Sequence, residues 1–530
     1  MKFNKRTRLL CSSAAAAMVL VLPAPILAQS SAELELLTGN YVRVVTGISE
    51  IDNYQINDPS GSLSATASDD SGNVEIGRDL LVTSGVSGSL AVSSNSISGT
   101  ALSNEATNRI NATTTPALDE SSVISNLQVN ERDLSATSET ASIYIDVEID
   151  EASLVPVSGS ITSLDNGSAT LDGNRIRTSA TGNTSSNTIS VGDAVSILGE
   201  SGGASLTVAD TDFFADPTVS GFVETTDLSA EADLAIANAQ INDAVSGSIS
   251  GGTIDITSSI DDASVFIELD GASGSTATLS NNALTASARG NVATSTIETE
   301  SGALAATIDA SVAMGNLQAN TDLNLTAEVS GSIVGIGTGA SIDDGVVTIG
   351  NDGSPEVDYG SNDSTLEVAN NSISASAFAN QAVQTISLSA NDVNGAQGGL
   401  ATISDGNGFD VTGSESLSVE AQIAIGGQQL LDDTNVTATV GGNDLGVYVA
   451  GDVADDSAES STIIVADNAL DATAVGNIAV SSAVSIEGNT VGGGIGVASL
   501  QDAWSTDVQA EAVNNTIGSL TAGECQIFCV

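Results

Sequence analysis

Carboxylates are the side chains with which this chain could most readily do chemistry, because the other usual catalytic groups are scarce. Its 530 residues include 67 Asp and Glu but only 11 Lys and Arg, and they include no His. A Ser-His-Asp or Cys-His nucleophile and a His-ligated metal site are therefore excluded. Lys occurs only at Lys2 and Lys5, so a Schiff-base mechanism has no candidate beyond the first few residues.

Paired carboxylates can hydrolyse glycosidic bonds, and β-helical proteins host enzymes of this kind. Glycan sites usually also need aromatic platforms, and the five Tyr, eight Phe and one Trp are spread thinly along the chain. No carboxylate pair stands out from the others. We therefore expect no enzymatic activity and no catalytic residue, and a carbohydrate-active β-helix enzyme is the least favoured alternative.

Acidic residues also cluster in segments that we expect to form turns. Oxygen ligands suit hard cations such as calcium, yet no cluster matches the EF-hand loop or the glycine-rich nonapeptide repeat. We interpret them as solvated turn charge and expect no cofactor, with weak calcium binding left open and the metal ligands unknown. The clusters are Asp69 with Asp70, Asp210 with Asp212 and Asp216, Asp261 with Asp262, Asp343 with Asp344, Asp352 with Glu356, Asp358 and Asp363, Asp432 with Asp433, and Asp455 with Asp456.

The first 28 residues have the pattern of a secretory signal peptide, with four basic residues, an apolar stretch from Leu9 to Leu22, and a cleavage site before Gln29. Its removal leaves 7 basic and 67 acidic residues, and so a formal charge of −60. Nucleic acid is therefore an improbable partner. No later apolar run is long enough for a membrane span. We predict export by the Sec route to the cell surface, the outer membrane or the medium.

Two cysteines, Cys525 and Cys529, lie close to the end of the sequence. In an oxidising compartment such a pair is expected to form a disulfide. The ring would be short, so it would staple only this terminal segment.

An internal repeat is the strongest signal in the sequence. A 16-residue pattern opens with Asn, continues with small or branched residues at alternate positions, and has a second Asn nine residues after the first. Its five copies begin about 90 residues apart. The Asn pairs are Asn95 with Asn104, Asn174 with Asn183, Asn282 with Asn291, Asn371 with Asn380, and Asn468 with Asn477.

The alternation has a period of two, with a phase change at a Gly or Ala before the second Asn, which predicts a strand, a corner and a second strand. Inward residues are mostly Ala, Val, Ile and Leu, so the core is expected to be narrow. These features predict an all-β fold, an elongated β-solenoid (β-helix) of about five ~90-residue units, each holding several rungs of roughly 20 residues. The repeated Asn residues would occupy corners and stack as amide ladders.

The predicted organisation is a signal peptide over 1–28, a lead-in over 29–60, the repetitive solenoid over 61–517, and a C-terminal tail over 518–530 that carries the Cys pair. A string of immunoglobulin-like sandwiches is the alternative, since these domains are also about 90 residues long. Their cores normally hold a central aromatic residue, whereas Trp504 is the one Trp of the whole chain.

The Asn-x-Ile/Leu-x-Ala-x-Ala-x-Gly-Asn pattern, seen at Asn282 to Asn291 and Asn468 to Asn477, resembles that of bacterial secreted β-strand-repeat surface proteins. It is most similar to the holdfast-anchor surface proteins of stalked alphaproteobacteria. The resemblance implies a non-enzymatic, adhesive protein of the cell surface that anchors polysaccharide to the envelope, with polysaccharide or other envelope proteins as partners. The alternative is a self-associating subunit of an extracellular filament or sheath.

Overall fold

The structure is a computed structural model in which strands and their connecting turns form the whole of the described part. No helix long and apolar enough to cross a membrane occurs there. The described residues are 36–38, 41–46, 49–57, 62–67, 74–82, 85–112, 117–118, 121–149, 162–192, 196–198, 203–210, 224–243, 253–299, 305–309, 311–338, 340–343, 346–349, 361–393, 399–405, 416–449, 460–488, 490–491 and 494–521.

Three parallel six-stranded sheets form what we call the first wall. Sheet I contains β3 (Ser49–Asn57), β9 (Ser122–Asn130), β18 (Leu234–Asp243), β25 (Val312–Thr321), β35 (Ile423–Asp432) and β41 (Ile495–Trp504). Sheet II contains β4 (Leu63–Thr66), β10 (Leu134–Glu139), β19 (Ile254–Asp261), β26 (Leu323–Ser330), β36 (Asn435–Gly441) and β42 (Asp507–Val513). Sheet III contains β5 (Glu75–Val82), β11 (Ser142–Ile149), β20 (Ser264–Leu269), β27 (Ile333–Thr338), β37 (Asp444–Val449) and β43 (Thr516–Thr521).

Two further parallel sheets form the second wall, which faces the first. Sheet IV contains β6 (Ser89–Ser93), β13 (Ser168–Asp172), β22 (Thr276–Ser280), β31 (Thr365–Ala369) and β38 (Thr462–Ala466). Sheet V contains the long strands β7 (Ser96–Ala112), β14 (Arg175–Val191), β23 (Ala283–Thr299), β32 (Ser372–Val393) and β39 (Ala469–Glu487). Short strands extend its far end, namely β8 (Ala117–Leu118), β15 (Ser196–Leu198), β24 (Ala305–Asp309) and β40 (Thr490–Val491).

The chain follows the same circuit each time. It runs through sheets I, II and III along the first wall, and returns through sheets IV and V along the second. A minor three-stranded sheet lies at the corner between the walls, formed by β12 (Leu164–Asp165), β21 (Ala272–Ser273) and β30 (Ser361–Asn362), and a hairpin is formed by β28 (Ala340–Asp343) and β29 (Val346–Ile349). Residues 49–57, expected in the lead-in, already form the first strand of sheet I.

Each sequence unit makes one layer of the stack. In sheet V the first Asn of one copy meets the first Asn of the next, 79, 108, 89 and 97 residues later. The expectation of several roughly 20-residue rungs per unit is therefore wrong. In the five principal sheets, the strands of one unit face one another across the core, and their ladder hydrogen bonds run to strands of the neighbouring units. Because units share their sheets, the described part does not consist of separate sandwiches.

An antiparallel outer sheet covers the outward side of sheet I. It contains β1 (Leu36–Thr38), β2 (Tyr41–Thr46), β16 (Gly203–Asp210), β17 (Glu224–Glu231), β33 (Gly399–Asp405) and β34 (Ser416–Ala421). Two hairpins supply its last four strands, and each is inserted in a long circuit. Matched positions in sheet I are 112 and 111 residues apart across these circuits, but 73, 78 and 72 across the others. One two-stranded hairpin spans two layers, so every second circuit carries one.

The apolar core lies between the walls and consists of small and branched side chains. Its largest cluster joins sheets II and III to sheet IV and the first half of sheet V, for example through Ile256, Ile267 and Ile176, all fully buried. A second cluster joins sheet I to the far end of sheet V, for example through Ile236 and Ile297. The continuity of these clusters across layers gives a narrow core that needs few aromatic rings.

Within each long strand of sheet V, the alternation of inward and outward side chains shifts by one residue near the middle. The first half of the strand packs against sheet II, and the second half packs against sheet I. On β14, Ile176 and Ala180 point inward before Gly182, and Asn183 and Ile189 point inward after it. The strand continues through this point without ending, so the predicted corner is a bend within one strand. A Cβ at Gly290, the equivalent glycine on β23, would lie 2.4 Å from the carbonyl oxygen of Ala379.

We therefore expect Gly290→Ala to lower the free energy of unfolding by about 1–3 kcal/mol, because the added methyl group overpacks against backbone of the next layer. Chemical denaturation followed by circular dichroism would measure this. Gly518→Ala is the matched control, since a Cβ there meets nothing within 4 Å. Equal effects of the two substitutions would contradict the packing argument.

Candidate functional site

The first Asn of every repeat forms a ladder at the corner between sheets IV and V. The side-chain Nδ2 of Asn95, Asn174, Asn282 and Asn371 donates to Oδ1 of the Asn one layer on, each at 3.0 Å, and the ladder ends at Asn468. The backbone N–H of each donor residue bonds to the same oxygen. The second side-chain N–H is also used, as in the 3.0 Å bond from Asn174 to the carbonyl of Val92.

The turn itself is made by the residue before each ladder Asn. Ser94, Asn281, Asn370 and Asp467 have φ between 53° and 58°, and Gly173 has φ of 68°. Asn, Asp and Gly tolerate this left-handed conformation best. The repeated Asn therefore acts through its amide group, and the left-handed corner position belongs to its neighbour.

The second Asn of every repeat is part of a buried seam of amides between sheets I and V. Asn104, Asn183, Asn291 and Asn380 donate to the next copy at 2.8–3.0 Å, ending at Asn477. Sheet I supplies facing amides: Asn242 donates to Asn291 at 2.9 Å, and Asn291 donates to Asn320 at 3.0 Å. These side chains are essentially inaccessible to solvent in the central layers.

A glutamine ladder in sheet I runs through every layer of the same seam. Nε2 of each Gln donates to Oε1 of the Gln in the preceding layer at 2.8–2.9 Å. The other N–H of five of them bonds a backbone carbonyl of sheet V, as from Gln240 to Val292 at 2.9 Å. The ladder consists of Gln55, Gln128, Gln240, Gln318, Gln429 and Gln501.

Sequence reasoning found the Asn columns and missed the glutamine ladder. A signal existed, because Asn126 to Asn130 and Asn316 to Asn320 share the pattern Asn-Leu-Gln-x-Asn. The looser pattern Asn-x-Gln-x-Asn also occurs at Asn53 to Asn57 and at Asn238 to Asn242, and only Gln429 and Gln501 stand in other contexts. The sequence therefore carried a signal for four of the six ladder positions. Both sets of amides hold the walls together, and no reacting group lies among them.

The outward side of sheet V carries a concentration of cations that we call the arginine face. Arg175 and Arg177 on β14 are exposed, and Arg289 on β23 is half-buried, with its guanidinium carbon 6.0 Å from the ring centroid of Phe378. Burial, together with the nearby Arg177, lowers the pKa of Arg289. Its Nε is buried without a hydrogen-bond partner. Within the described ranges, none of the three arginines forms an ion pair.

Hydroxyl groups surround these arginines. Among the outward residues in the first halves of the sheet V strands, one is acidic, namely Asp471. Asp471 occupies the position on β39 that corresponds to Arg177 on β14, three strands away. At the usual strand spacing this separation is roughly 14 Å. The hydroxyl neighbours are Ser96, Ser98, Thr100, Ser179, Thr181, Thr285, Ser287, Ser372, Ser374 and Ser376.

Two carboxylates on the first wall have raised pKa values, because they are partly buried and because the stacking places other carboxylates beside them. Asp146 on sheet III pairs in register with Asp79. Burial, followed by repulsion from Glu148, Asp79 and Asp270, raises the pKa of Asp146 to about 7. At the corner between sheets I and II, burial and Asp433 raise the pKa of Asp432 to about 6.

Of the acidic clusters identified in the sequence, Asp261 with Asp262 and Asp432 with Asp433 lie wholly in the described part, at corners where Asp262 and Asp433 have positive φ. No group of three or more acidic or cysteine residues that could hold a metal ion is found among the described residues. Asp210, Asp343 and Asp363 are described without their cluster partners. Asp69 and Asp70, Asp352 to Asp358, Asp455 and Asp456, Cys525 and Cys529, and residues 1–28 lie outside the described residues.

No protein-family model, curated protein or solved structure matches this chain.

Substituting a buried ladder amide should be costly. Gln240→Leu leaves Oε1 of Gln128, Nε2 of Gln318 and the carbonyl of Val292 without their partner. Each buried polar group that is left without a hydrogen-bond partner costs about 1–3 kcal/mol. We therefore expect the free energy of unfolding to fall by about 3 kcal/mol or more. Asn324→Leu is the control: Asn324 donates to the Asp255 carboxylate and accepts from Asn435 at the surface, and its loss should change stability by less than about 1 kcal/mol. Equal losses in denaturant titrations would contradict a special role for the buried seam.

The perturbed carboxylates predict a pH dependence of stability. The folded-state pKa of Asp146, about 7, lies above its unfolded value, so folding favours the protonated form. Stability should therefore rise as the pH falls from about 8 towards 4, and it should be lowest where the group is ionised. Asp146→Asn should raise the free energy of unfolding at pH 8 by about 1–2 kcal/mol, allowing for partial exposure, with little effect at pH 4. Thermal unfolding at both pH values would measure this, with the exposed Glu139→Gln as control.

Proposed function

We propose that this chain is a non-enzymatic, secreted structural protein whose two-walled stack is a β-solenoid. Support comes from the parallel sheets, in which corresponding positions of successive units pair in register, with one shift between Val383 and Gln384 where β32 pairs with β39. Each circuit adds one strand to each principal sheet, so the length of the stack grows with the number of units. Strand hydrogen bonds run along the axis of such a rod, and the buried amides fix each layer to the next.

We further propose that the rod acts at the cell surface, where it holds an acidic polysaccharide on its arginine face. The observation that carries this is the grouping of three unpaired guanidinium groups on one flat side of a chain whose net charge is −56. Guanidinium groups bind carboxylate and sulfate groups in a bidentate manner. The surrounding Ser and Thr hydroxyls can hydrogen-bond to sugar hydroxyls across several strands.

The overall negative charge does not prevent this contact. At physiological ionic strength the screening length is about 8 Å, so carboxylates far from the arginine face act only weakly on a bound anionic chain. Direct contacts with Arg175, Arg177 and Arg289 are screened less. Attachment of the rod to the envelope, through another surface protein, completes the proposed role as a polysaccharide anchor.

The test is binding of the full protein to immobilised polygalacturonate, a carboxylated polysaccharide. Replacing Arg175, Arg177 and Arg289 together by Gln should weaken binding at least about tenfold, the loss expected for removing 1.4 kcal/mol of contact energy. Binding should also decrease as salt is raised. The matched control replaces Arg78, which lies on β5 of sheet III, and Arg132, which lies in the turn between β9 and β10.

Unchanged binding of the triple variant, or equal binding of neutral dextran, would count against the arginine face. The surface role is tested separately, by labelling intact cells with an antibody and by measuring attachment of cells that lack the gene. Unaltered attachment and envelope integrity would contradict that part of the proposal.

A further inference from the structure

The three residues of the arginine face are spread along the strands of sheet V and hardly at all along the axis of the stack. Arg175 and Arg177 are two residues apart on β14, and Arg289 on the neighbouring β23 pairs with Thr181, six residues after Arg175. At the usual rise per residue this separation is roughly 20 Å along the strands. Along the axis the same arginines differ by one strand spacing, roughly 5 Å.

Each of these arginines occupies a different column, where a column is the set of residues that pair in register from one layer of sheet V to the next. The described strands of sheet V place no second cation in any of the three columns. The column of Arg177 also contains the carboxylate of Asp471. An anionic chain that ran along the axis, within one column, would therefore meet one guanidinium group. A chain that ran parallel to the strands would pass all three.

The surroundings of the arginines favour the second direction. Ser179, half-buried on the outward side of β14, lies between Arg177 and the column of Arg289, so its hydroxyl is available to a sugar on that path. At the other end, the carboxylate of Asp172 in sheet IV accepts hydrogen bonds from Ser280 at 2.7 Å and from Asn281 at 2.8 Å. These bonds lower the pKa of Asp172 and keep it ionised at neutral pH. Its negative charge, three residues before Arg175, limits the site at that end.

We propose that the arginine face binds one segment of an acidic polysaccharide that lies parallel to the strands, and so crosses the rod instead of following its axis. This inference rests on the proposed function and specifies the direction of the bound chain. Arg175 and Arg177 contact acidic groups at one end of the segment, and Arg289 contacts a further acidic group at the other end, through charge-assisted hydrogen bonds.

A crossing chain gives each rod a single binding site, whatever the number of layers in the stack. The polysaccharide then continues beyond the rod and is free to cross other rods. One long chain therefore links many copies of the protein, and the strength of the assembly depends on the number of rods on the chain.

Titration of the full protein at low salt with digalacturonate and with hexagalacturonate tests the direction of the bound chain. Digalacturonate can reach the pair of Arg175 and Arg177 but cannot also reach Arg289, whereas hexagalacturonate is long enough to span all three. Arg289→Gln should therefore weaken hexagalacturonate binding by about two- to fivefold, the loss expected for one charged contact near the surface, and leave digalacturonate binding unchanged. Arg177→Gln should weaken both. One hexagalacturonate should bind to each protein molecule.

Arg109→Gln is the matched control. Arg109 is also exposed on the outward side of sheet V, but it lies on β7 and pairs with Thr188, seven residues beyond the column of Arg289. Its Nε donates to the side chain of Asn111 at 2.7 Å. This substitution removes the same charge away from the proposed path, so it should leave the binding of both oligomers unchanged.

A second variant keeps the test decisive if Arg289→Gln alters the circular dichroism spectrum. Arg175→Gln combined with Arg177→Gln changes exposed positions only and leaves Arg289 alone on the path. It should lower the preference for hexagalacturonate over digalacturonate by about two- to fivefold.

Three results would overturn the crossing direction while leaving polysaccharide binding in place. They are hexagalacturonate binding that Arg289→Gln does not weaken, an equal loss with Arg109→Gln, and two or more hexagalacturonates bound to each protein molecule. If the unsubstituted protein binds neither the oligomers nor polygalacturonate, the proposed function itself is wrong, and this inference fails with it.

Discussion

The pairing of buried amides is the constraint on which the rest of this structure depends. Each ladder amide has two N–H donors and an oxygen to satisfy away from water. In the central layers the amide of the preceding layer accepts from one N–H, the amide of the following layer donates to the oxygen, and a backbone carbonyl accepts from the other N–H, as seen at Gln240. A shift of one residue in the pairing of a strand would turn its amides out of the seam and leave the neighbouring amides without hydrogen-bond partners. The same shift would turn the apolar columns of Ala, Val, Ile and Leu out of the core, so the amides and the apolar columns hold the register together.

Where the amide columns are interrupted, their polar groups lose partners. The column of Asn126, Asn238 and Asn316 reaches Gly427 in the following layer, and Nδ2 of Asn316 is then buried without a hydrogen bond. The neighbouring Gln428, on the opposite side of the strand, is also buried and unpartnered at both amide atoms. The ladder principle thus describes most of the seam, and the layer of β35 is its weakest point.

The sequence was sufficient to predict strands and the columns of repeated Asn, because a period of two and a long repeat are both visible without coordinates. It was not sufficient to show that one unit is one layer. A repeat of about 90 residues is compatible with copies that pair with each other and with copies that are each folded on themselves. The arginine face was equally hidden, since Arg177 and Arg289 lie in different units and only the pairing of β14 with β23 places them on adjacent strands. The glutamine ladder was visible in part, since Gln55, Gln128, Gln240 and Gln318 share the pattern Asn-x-Gln-x-Asn, whereas Gln429 and Gln501 stand in diverged surroundings.

The hairpins of the outer sheet have a consequence for how such a protein can change its length. A hairpin contributes two strands and so covers two layers of sheet I. Each long circuit, which carries a hairpin, is therefore followed by a short circuit that carries none. Gene duplication that copied a single circuit would leave the covering sheet one strand out of step with the wall beneath it. Duplication of a short and a long circuit together would keep both sheets matched, so we expect lengthened or shortened versions of this protein to differ by whole doublets.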